Sequence, residues 1–289
     1  MYQGPITYEG NKRRLMPQIK PLLDDTHVFF DLFAGSGTVG LNANASKVVF
    51  NDTNKPLMDL LAYLKSTDPE VAISKVDELT VRFGLTDPYH TPDYEGRLQD
   101  LNKSGYLKLR EHYNENPTPG VLLALLQYSF NNQMRWNKSG KFNMPVGSKG
   151  FNANQRDKVR EFHKRAQEVD AVFFSWDFND WKHFSVRQST LFYADPPYLV
   201  STATYNAGWD ESNERSLLDF LDHKHKNGDK FALSNVLELK GQENKVLTGW
   251  LESRPEYTVH ELEVSYGTAN YQRKVRGDVT REVLVTNYH

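Results

Sequence analysis

Val28-Phe29-Phe30-Asp31-Leu32-Phe33-Ala34-Gly35-Ser36-Gly37-Thr38-Val39-Gly40 reads as a strand that runs into a glycine-rich turn and out into a helix. The run Val28–Leu32 is short, apolar and flanked by turn residues, the pattern of a buried strand. Ala34 to Gly40 is the turn, and a helix is predicted to open at Thr38. Lys47-Val48-Val49-Phe50-Asn51-Asp52 reads as the next strand, so the chain opens as an α/β protein with a parallel sheet. After about residue 65 the pattern breaks. Residues 65–165 are predicted mostly helical, with a Pro/Gly/polar interruption from Gly84 to Gly105. Val121 to Phe130 is dense enough in apolar residues for a buried helix. Asn154 to Asp170 is amphipathic, with Val159, Phe162, Ala166 and Val169 on one face. Between them, Asn131 to Ala153 is rich in Asn, Gly, Lys and Ser and reads as loop. Strand signals return at Ala171–Phe174, Leu191–Ala194, Phe231–Ser234, Tyr257–Val264 and Glu282–Thr286. The last two pair like a hairpin across the basic loop Tyr266 to Asp278.

Gly35-Ser36-Gly37-Thr38-Val39-Gly40 matches G-x-G-x-x-G, which between a strand and a helix usually suggests dinucleotide binding. Asp31 argues against it: a carboxylate at the strand end repels a pyrophosphate lying on the loop. It suits a cationic ammonium, such as that of the methionine part of S-adenosylmethionine. Asp52, ending the second strand, can accept hydrogen bonds from a ribose or adenosine group. These residues favour S-adenosylmethionine over a nicotinamide cofactor, against the plain alternative of a tight turn with no ligand. Gly4 to Lys12 is not a phosphate loop, because Asn11 precedes the lysine and Arg13 stands where Ser or Thr is required.

Asp195-Pro196-Pro197-Tyr198 follows the strand-like run Thr190–Ala194. Such a tetrapeptide sets a carboxylate, a fixed carbonyl and an aromatic ring around one small space, since proline lacks an N–H and locks φ. A planar ring bearing an exocyclic amine would fit: acceptors for both amine hydrogens, and Tyr198 for the ring face. An ordinary Pro-rich turn is the competing reading. Asp87-Pro88-Tyr89-His90 looks similar, but no strand precedes it and it reads as loop.

Over 289 residues, 38% hydrophobic and 25% charged, the composition suits a soluble globular chain of one large or two modest domains. The absence of cysteine excludes disulfides, thiolate metal sites and cysteine nucleophiles. No apolar run reaches membrane-spanning length and no leader is evident, so an intracellular protein is expected. Metalloprotease and serine-hydrolase motifs and carboxylates paired at catalytic spacing are all missing, and no metal is implied. His223 and His225 lie in a Lys-rich helix end and are expected in solvent. The net charge of −2 hides an asymmetry. Phe130 to Arg165 carries nine Lys/Arg against Asp157 and Glu161, a surplus of +7 in a chain whose remainder must hold −9. A concentrated basic stretch in a near-neutral chain is expected of a polyanion binder, or else forms a solvated helix face.

Taken together, these residues resemble the Dam-like DNA adenine-N6 methyltransferases (D12 class, alpha group). The likeness runs through Tyr8-Glu9-Gly10-Asn11-Lys12, Asp31-Leu32-Phe33-Ala34-Gly35-Ser36-Gly37 and Asn51-Asp52. It continues through Phe130-Asn131-Asn132-Gln133-Met134-Arg135-Trp136-Asn137 and Gly140-Lys141-Phe142-Asn143-Met144-Pro145-Val146-Gly147. It ends with Asp195-Pro196-Pro197-Tyr198, Leu233-Ser234-Asn235 and Glu282-Val283-Leu284-Val285-Thr286-Asn287-Tyr288. Each motif alone is moderately specific; their order together is highly specific.

The resemblance implies a Rossmann-like α/β fold: a mixed seven-stranded sheet with helices on both faces and an inserted helical recognition domain. It implies a catalytic, S-adenosylmethionine-binding domain at 1–64 and 166–289 and a target-recognition domain at 65–165. Tyr8, Lys12, Asp31, Phe33, Ala34, Gly35, Ser36, Gly37, Asp52 and Asp195 would bind the cofactor. Asp195, Pro196, Pro197 and Tyr198 would hold the target adenine. Phe130 falls where the family wedges an aromatic side chain into the duplex, beside Asn131. Arg135 falls where an arginine reads a guanine, and Pro145 where a loop meets a base edge. Asn132, Asn137, Lys149 and Lys158 join them as expected DNA contacts. Where many GATC methylases carry a basic pair or Arg-Tyr, this chain has Ser148-Lys149-Gly150, and lysine lacks arginine's planar fork. The resemblance implies double-stranded DNA as partner, no membrane, a monomer, and a prokaryotic or phage-infected cytoplasm. It allows a cognate restriction endonuclease acting separately. RNA adenine or protein methylation and a non-catalytic DNA-binding scaffold are the rival readings.

Overall fold

The computed structural model describes residues 1–8, 10–87, 95–201, 208–263 and 280–289. The opening stretch forms strand β1 (Thr26–Asp31), a turn, and helix α2 (Thr38–Asn42), preceded by the single-turn α1 (Met16–Ile19). Strand β2 (Ala45–Asn51) follows, then a helical series: α3 (Lys55–Ser66), α4 (Pro69–Arg82), α5 (Leu98–Glu115), α6 (Pro119–Tyr128) and α7 (Ala153–Glu168). Strands β3 (Val172–Phe174) and β4 (Thr190–Ala194), helix α8 (Glu211–Lys226), strand β5 (Lys230–Leu239) and the two-residue β6 (Gln242–Glu243) come next. Helix α9 (Lys245–Glu252) and strands β7 (Thr258–Leu262) and β8 (Thr280–Thr286) complete the described elements.

The strands form one mixed sheet in the order β3-β2-β1-β4-β5-β8-β7, with β6 paired to β5. Strands β2, β1, β4 and β5 pair in parallel, while β8 runs antiparallel to both β5 and β7. This is the Rossmann-like mixed sheet that the resemblance implies, seven strands in line with a helical series inserted after β2. Strand β5 runs to Leu239, five residues beyond the predicted Ser234. Polar Asn235 and Glu238 end the apolar run in sequence, but antiparallel pairing with β8 continues from Ala232 to Leu239.

By compactness the chain divides into two units. The first comprises Met1–Asn11, Gly35–Leu41 and Asn54–Phe173; the second comprises Lys12–Ala34, Asn42–Thr53 and Phe174–His289. The expected boundaries at 64/65 and 165/166 fall inside α3 and α7, both of which lie whole in the first unit.

In the first unit α6 packs against α3, α4 and α5, and α7 against α3 and α4. Every residue of α6 from Gly120 to Tyr128 is buried, which explains a sequence apolar all round. The helix stops two residues before the predicted Phe130. Ser129 is extended and bridged to Val146, and the Phe130 N–H donates to the Pro145 carbonyl at 2.8 Å. The interruption predicted to reach Gly105 ends at Arg97, because α5 begins at Leu98. Gly105 is a close-packing glycine rather than a breaker: a Cβ there would meet the Phe83 carbonyl oxygen at 2.2 Å. In Asp87-Pro88-Tyr89-His90 only Asp87 is described, and the loop Tyr266 to Asp278 lies outside the described residues.

In the second unit the two sheet faces differ. On one, Phe30 stacks on Phe192 at 4.6 Å, Phe220 meets Phe192 edge-on, and Trp181 packs on Phe30. On the other lie Phe29 and Tyr193, with Asp31 opposite Tyr193 in register. His223 and His225, expected in solvent, are half-buried. His225 bonds Asn287 at 3.1 Å and packs edge-on against Tyr257. No helix among the described residues is long and apolar enough to cross a membrane.

Candidate active site

Side chains alternate across a strand, so register decides what gathers at each sheet face. Asp31 pairs with Tyr193, Tyr193 with Ala232, Ser234 with Leu284 and Val236 with Glu282. Asp31, Tyr193, Ser234 and Glu282 therefore share one face of the second unit. Asp195 and Tyr198 follow immediately where β4 ends.

Lys12, in the turn Lys12–Arg14, reaches into this group and is only 6% exposed. Its ammonium donates to Asp195 Oδ1 at 2.6 Å and to the Tyr198 hydroxyl at 2.7 Å, and lies 3.7 Å from Glu282 Oε1. The Tyr198 hydroxyl donates to Glu282 Oε1 at 2.8 Å and lies 3.5 Å from Asp195 Oδ1. The Lys12 nitrogen also stands 5.0 Å from the centroid of the Tyr198 ring, a cation–π distance. Burial pushes the Asp195 carboxyl above the ordinary carboxylate range; the Lys12 charge offsets part of this and Glu282 adds to it. Burial, then the neighbouring carboxylates, raises the Tyr198 and Tyr193 phenols well above their usual value. On the same face the Tyr193 and Ser234 side chains are fully buried.

Glu282 escaped sequence reasoning as a functional residue, and carboxylates paired at catalytic spacing were expected to be absent. Asp195 and Glu282 are 87 positions apart in sequence, and only the β5–β8 pairing brings them to one lysine. The available signal was an acidic residue directly against the buried run Val283-Leu284-Val285.

The other predicted positions of this unit lie at strand ends. The Ala34 N–H donates to the Asn51 carbonyl at 2.9 Å. The Asn51 side chain donates to the Leu32 and Trp176 carbonyls and accepts from the Trp176 N–H, tying the ends of β1 and β2 to the chain beyond β3. Phe33 packs against Phe178 and edge-on to Trp209. Asp52 is half-buried at the end of β2, its N–H donating to the Phe174 carbonyl. Pro196 is buried, and Pro197 is half-buried.

In the first unit the glycine-rich turn is shaped by close approach. Gly35 has φ +50°, and a Cβ there would come 2.8 Å from the Tyr8 ring. Ser36 is packed under Gly4, where a Cβ would meet the Ser36 carbonyl oxygen at 2.2 Å, and its hydroxyl lies 3.3 Å from that of Thr38. Gly37 also has positive φ, and its carbonyl accepts from the Leu41 N–H as α2 begins.

The segment after α6 in the same unit presents Phe130 at 49% exposure, next to Asn131 and Asn132, both left-handed at φ 54° and 56°. Consecutive non-glycine residues in this region are strained, and the motif around them holds them there. Asn131 is exposed, but Asn132 is buried and its amide caps the Leu126 and Gln127 carbonyls, so its side chain positions the segment. Arg135 is exposed and held in place, with Nε donating to Asn143 Oδ1 and Nη2 to the Asn143 carbonyl, both at 2.8 Å. Asn137 Oδ1 accepts from the Ser139 N–H and hydroxyl and from the Lys141 N–H, which closes the tip of the loop. Pro145 and Lys149 are exposed, and Lys158 is half-buried on α7.

The basic stretch is less free than its composition suggested. Arg156 forks onto Asp77, and Arg160 pairs with Glu70 and Asp157. Arg165 donates to the Leu41 carbonyl and pairs with Glu168. Helix α4 supplies two of these acids, so part of the +7 surplus is balanced within the helical unit itself.

Comparison with known proteins agrees with the family resemblance. The profile of a family described as D12 class N6 adenine-specific DNA methyltransferase matches residues 8–268. Modification methylase StsI of Streptococcus sanguinis is 34% identical over 295 aligned residues, covering 99% of this chain and 43% of that protein. Type II methyltransferase M.FokI of Planomicrobium okeanokoites matches with the same identity and coverage. DNA adenine methylase of Salmonella typhi is 27% identical over 217 residues, 73% of this chain and 70% of that protein. The chain thus spans less than half the length of the modification methylases it matches.

Proposed function

The chain belongs to the D12 class N6 adenine-specific DNA methyltransferases, and from that premise we propose that it methylates N6 of an adenine flipped out of a short duplex site, with GATC the leading candidate. The observation that carries this is the cluster of Lys12, Asp195, Tyr198 and Glu282 at the mouth of β4.

Adenine N6 is a poor nucleophile because its lone pair is delocalised into the ring. Lys12 donates to Asp195 Oδ1, and the Tyr198 hydroxyl lies 3.5 Å from the same oxygen; Oδ2 is the oxygen proposed to accept one amine hydrogen, and the Pro196 carbonyl the other. Accepting both hydrogens moves N6 toward sp³ character, an effect of positioning and electrostatics. The Tyr198 ring is the proposed stacking platform. Base extrusion costs a few kcal/mol of unstacking, which the exposed Phe130 would offset by filling the gap.

S-adenosylmethionine is the proposed methyl donor, and the residues fit it. Gly35 lets the Tyr8 ring lie against the turn, where a Cβ would collide with it, and the carboxylates of Asp31 and Asp195 suit a cationic ligand. Tyr8, Lys12, Asp31, Phe33, Ala34, Gly35, Ser36, Gly37, Asp52 and Asp195 are the proposed holders. When bound, the cofactor would supply an electrophilic methyl group carried on a sulfonium.

The helical segment 65–165 is proposed as the recognition part, with Phe130, Asn131, Arg135, Asn137 and Pro145 toward bases and Lys149 and Lys158 toward phosphates. Gly150, within the departure from the usual GATC pattern, is required by packing: a Cβ would lie 2.4 Å from Asp87 Cβ. Two relatives are named modification methylases, and a cognate restriction endonuclease acting separately is a proposed partner.

Methylation-sensitive sequencing of DNA from cells expressing the chain tests the reading, with Asp195→Ala as control. N6-methyladenine at one motif, lost in the variant while DNA binding persists, is the expected result. No methyladenine from the wild-type chain would move the assignment to RNA adenine or protein methylation, or to a DNA-binding scaffold.

A further inference from the structure

Two carboxylates share one ammonium in this cluster. Lys12 faces Asp195 and Glu282, and the Tyr198 hydroxyl bridges the lysine to Glu282. The groups facing Glu282 are Lys12 from the N-terminal turn, Asp195 and Tyr198 from the chain beyond β4, and Tyr193 from β4. Asp31, on the same face, is also felt by Tyr193. Even without Asp31 the cluster holds one more negative than positive charge. Strand β8 is otherwise built for burial, with Val283, Leu284 and Val285 fully covered. A carboxylate kept in that setting is expensive unless it is partnered. An apolar residue at position 282 would avoid that charge but would leave the Tyr198 hydroxyl without its acceptor.

We propose that Glu282 is a positioning residue for Tyr198 and the terminal acceptor of the proton that the methylated amine must release. The inference rests on the adenine-methylation reading. The amine gains a methyl and a positive charge, and one N–H proton must leave. Asp195 takes it, and the N–H electron pair stays on nitrogen. The new carboxylic acid turns about its Cβ–Cγ bond to bring that proton to the Tyr198 oxygen, as the Tyr198 proton moves to Glu282 Oε1. Asp195 ends as a carboxylate, Tyr198 as a neutral phenol and Glu282 as a neutral acid. The surplus negative charge is cancelled, so the cluster complements the charge that develops on the amine.

Glu282→Gln tests this, because glutamine has the same shape and still offers Oε1 to the Tyr198 hydroxyl. The first readout needs neither DNA nor cofactor: carbon-13 NMR titration of the Asp195 carboxyl in the free protein, assigned by its loss in Asp195→Asn. The Asp195 titration should move down in Glu282→Gln, since a neighbouring negative charge is gone. The single-turnover methylation rate at neutral pH should fall by about 10²-fold. Glu282→Asp should recover most of it. In a Tyr198→Phe background, which keeps the ring and removes the bridge, Glu282→Gln should cause no further loss. An unmoved Asp195 titration, or losses that multiply in the double variant, would overturn the proposal. If Glu282→Gln does not fold, Tyr198→Phe alone must show the rate loss, and a normal rate there overturns the relay. A wild-type chain that methylates no DNA overturns the underlying reading, and the acceptor role falls with it. The titration in free protein tells the two failures apart.

Discussion

At the residue scale, Lys12 offsets part of what burial does to Asp195. Asp195 is raised chiefly by burial, and the lysine charge holds the rise down. Lys12→Met should therefore move the acid limb of methylation to higher pH, read from the pH dependence of kcat/KM; an unmoved limb would mean that Asp195 is not the group titrating. The sign for stability follows from the same shift. The folded Asp195 binds its proton more tightly than the unfolded one, so its contribution is full below the unfolded pKa and is lost as pH rises through the folded pKa. The melting temperature of the wild type relative to Asp195→Asn should fall as pH rises across that window. Sequence alone made Asp195, Tyr198 and Lys12 legible, because local motifs mark them. It did not make Glu282 legible, because one acidic residue in a strand has no meaning until its neighbours in space are known.

Glycines decide much at the scale of elements. Gly105 lies inside α5, where alanine is intrinsically better by about 1 kcal/mol. The Phe83 carbonyl 2.2 Å from its ideal Cβ reverses that preference. Gly105→Ala should destabilise the chain by about 1–3 kcal/mol, the ordinary cost of overpacking, measured by urea unfolding. A neutral result would show that α5 can shift away from Phe83. In the loop after α6, Asn143 holds the Arg135 guanidinium from two sides. Arg135→Ala should cost about 1–3 kcal/mol at one base pair and relax the choice there. Asn143→Ala should relax the same position by less, because the arginine survives without its clamp. Methylation profiles on randomised sites would separate these outcomes, and an unchanged profile in Arg135→Ala would make that residue a phosphate contact.

For the whole molecule, charge matters by where it is unopposed, not by its sum. Arg160 is matched by Glu70 and Asp157, whereas Lys149 stands exposed in the segment between α6 and α7. Lys149→Ala should lower the slope of log affinity against log salt by about one. Arg160→Ala should leave that slope nearly unchanged. Filter or anisotropy titrations across a salt series would decide it, and equal slopes for wild type and Lys149→Ala would remove Lys149 from the phosphate contacts.

The order of elements, the strand–turn–helix opening and the tetrapeptide after β4 were determined by the sequence itself. They rest on short-range physics: apolar periodicity, glycine freedom and proline rigidity act within a few residues. The reach of β5, the helical state of Leu98–Gly105 and the pairing of the α7 arginines with α4 were decided by the tertiary structure. The same holds for the site's second carboxylate. Strand register brings Glu282 within 3.7 Å of Lys12, and register is a property of two strands hydrogen-bonded across a long stretch of chain, which no local pattern encodes.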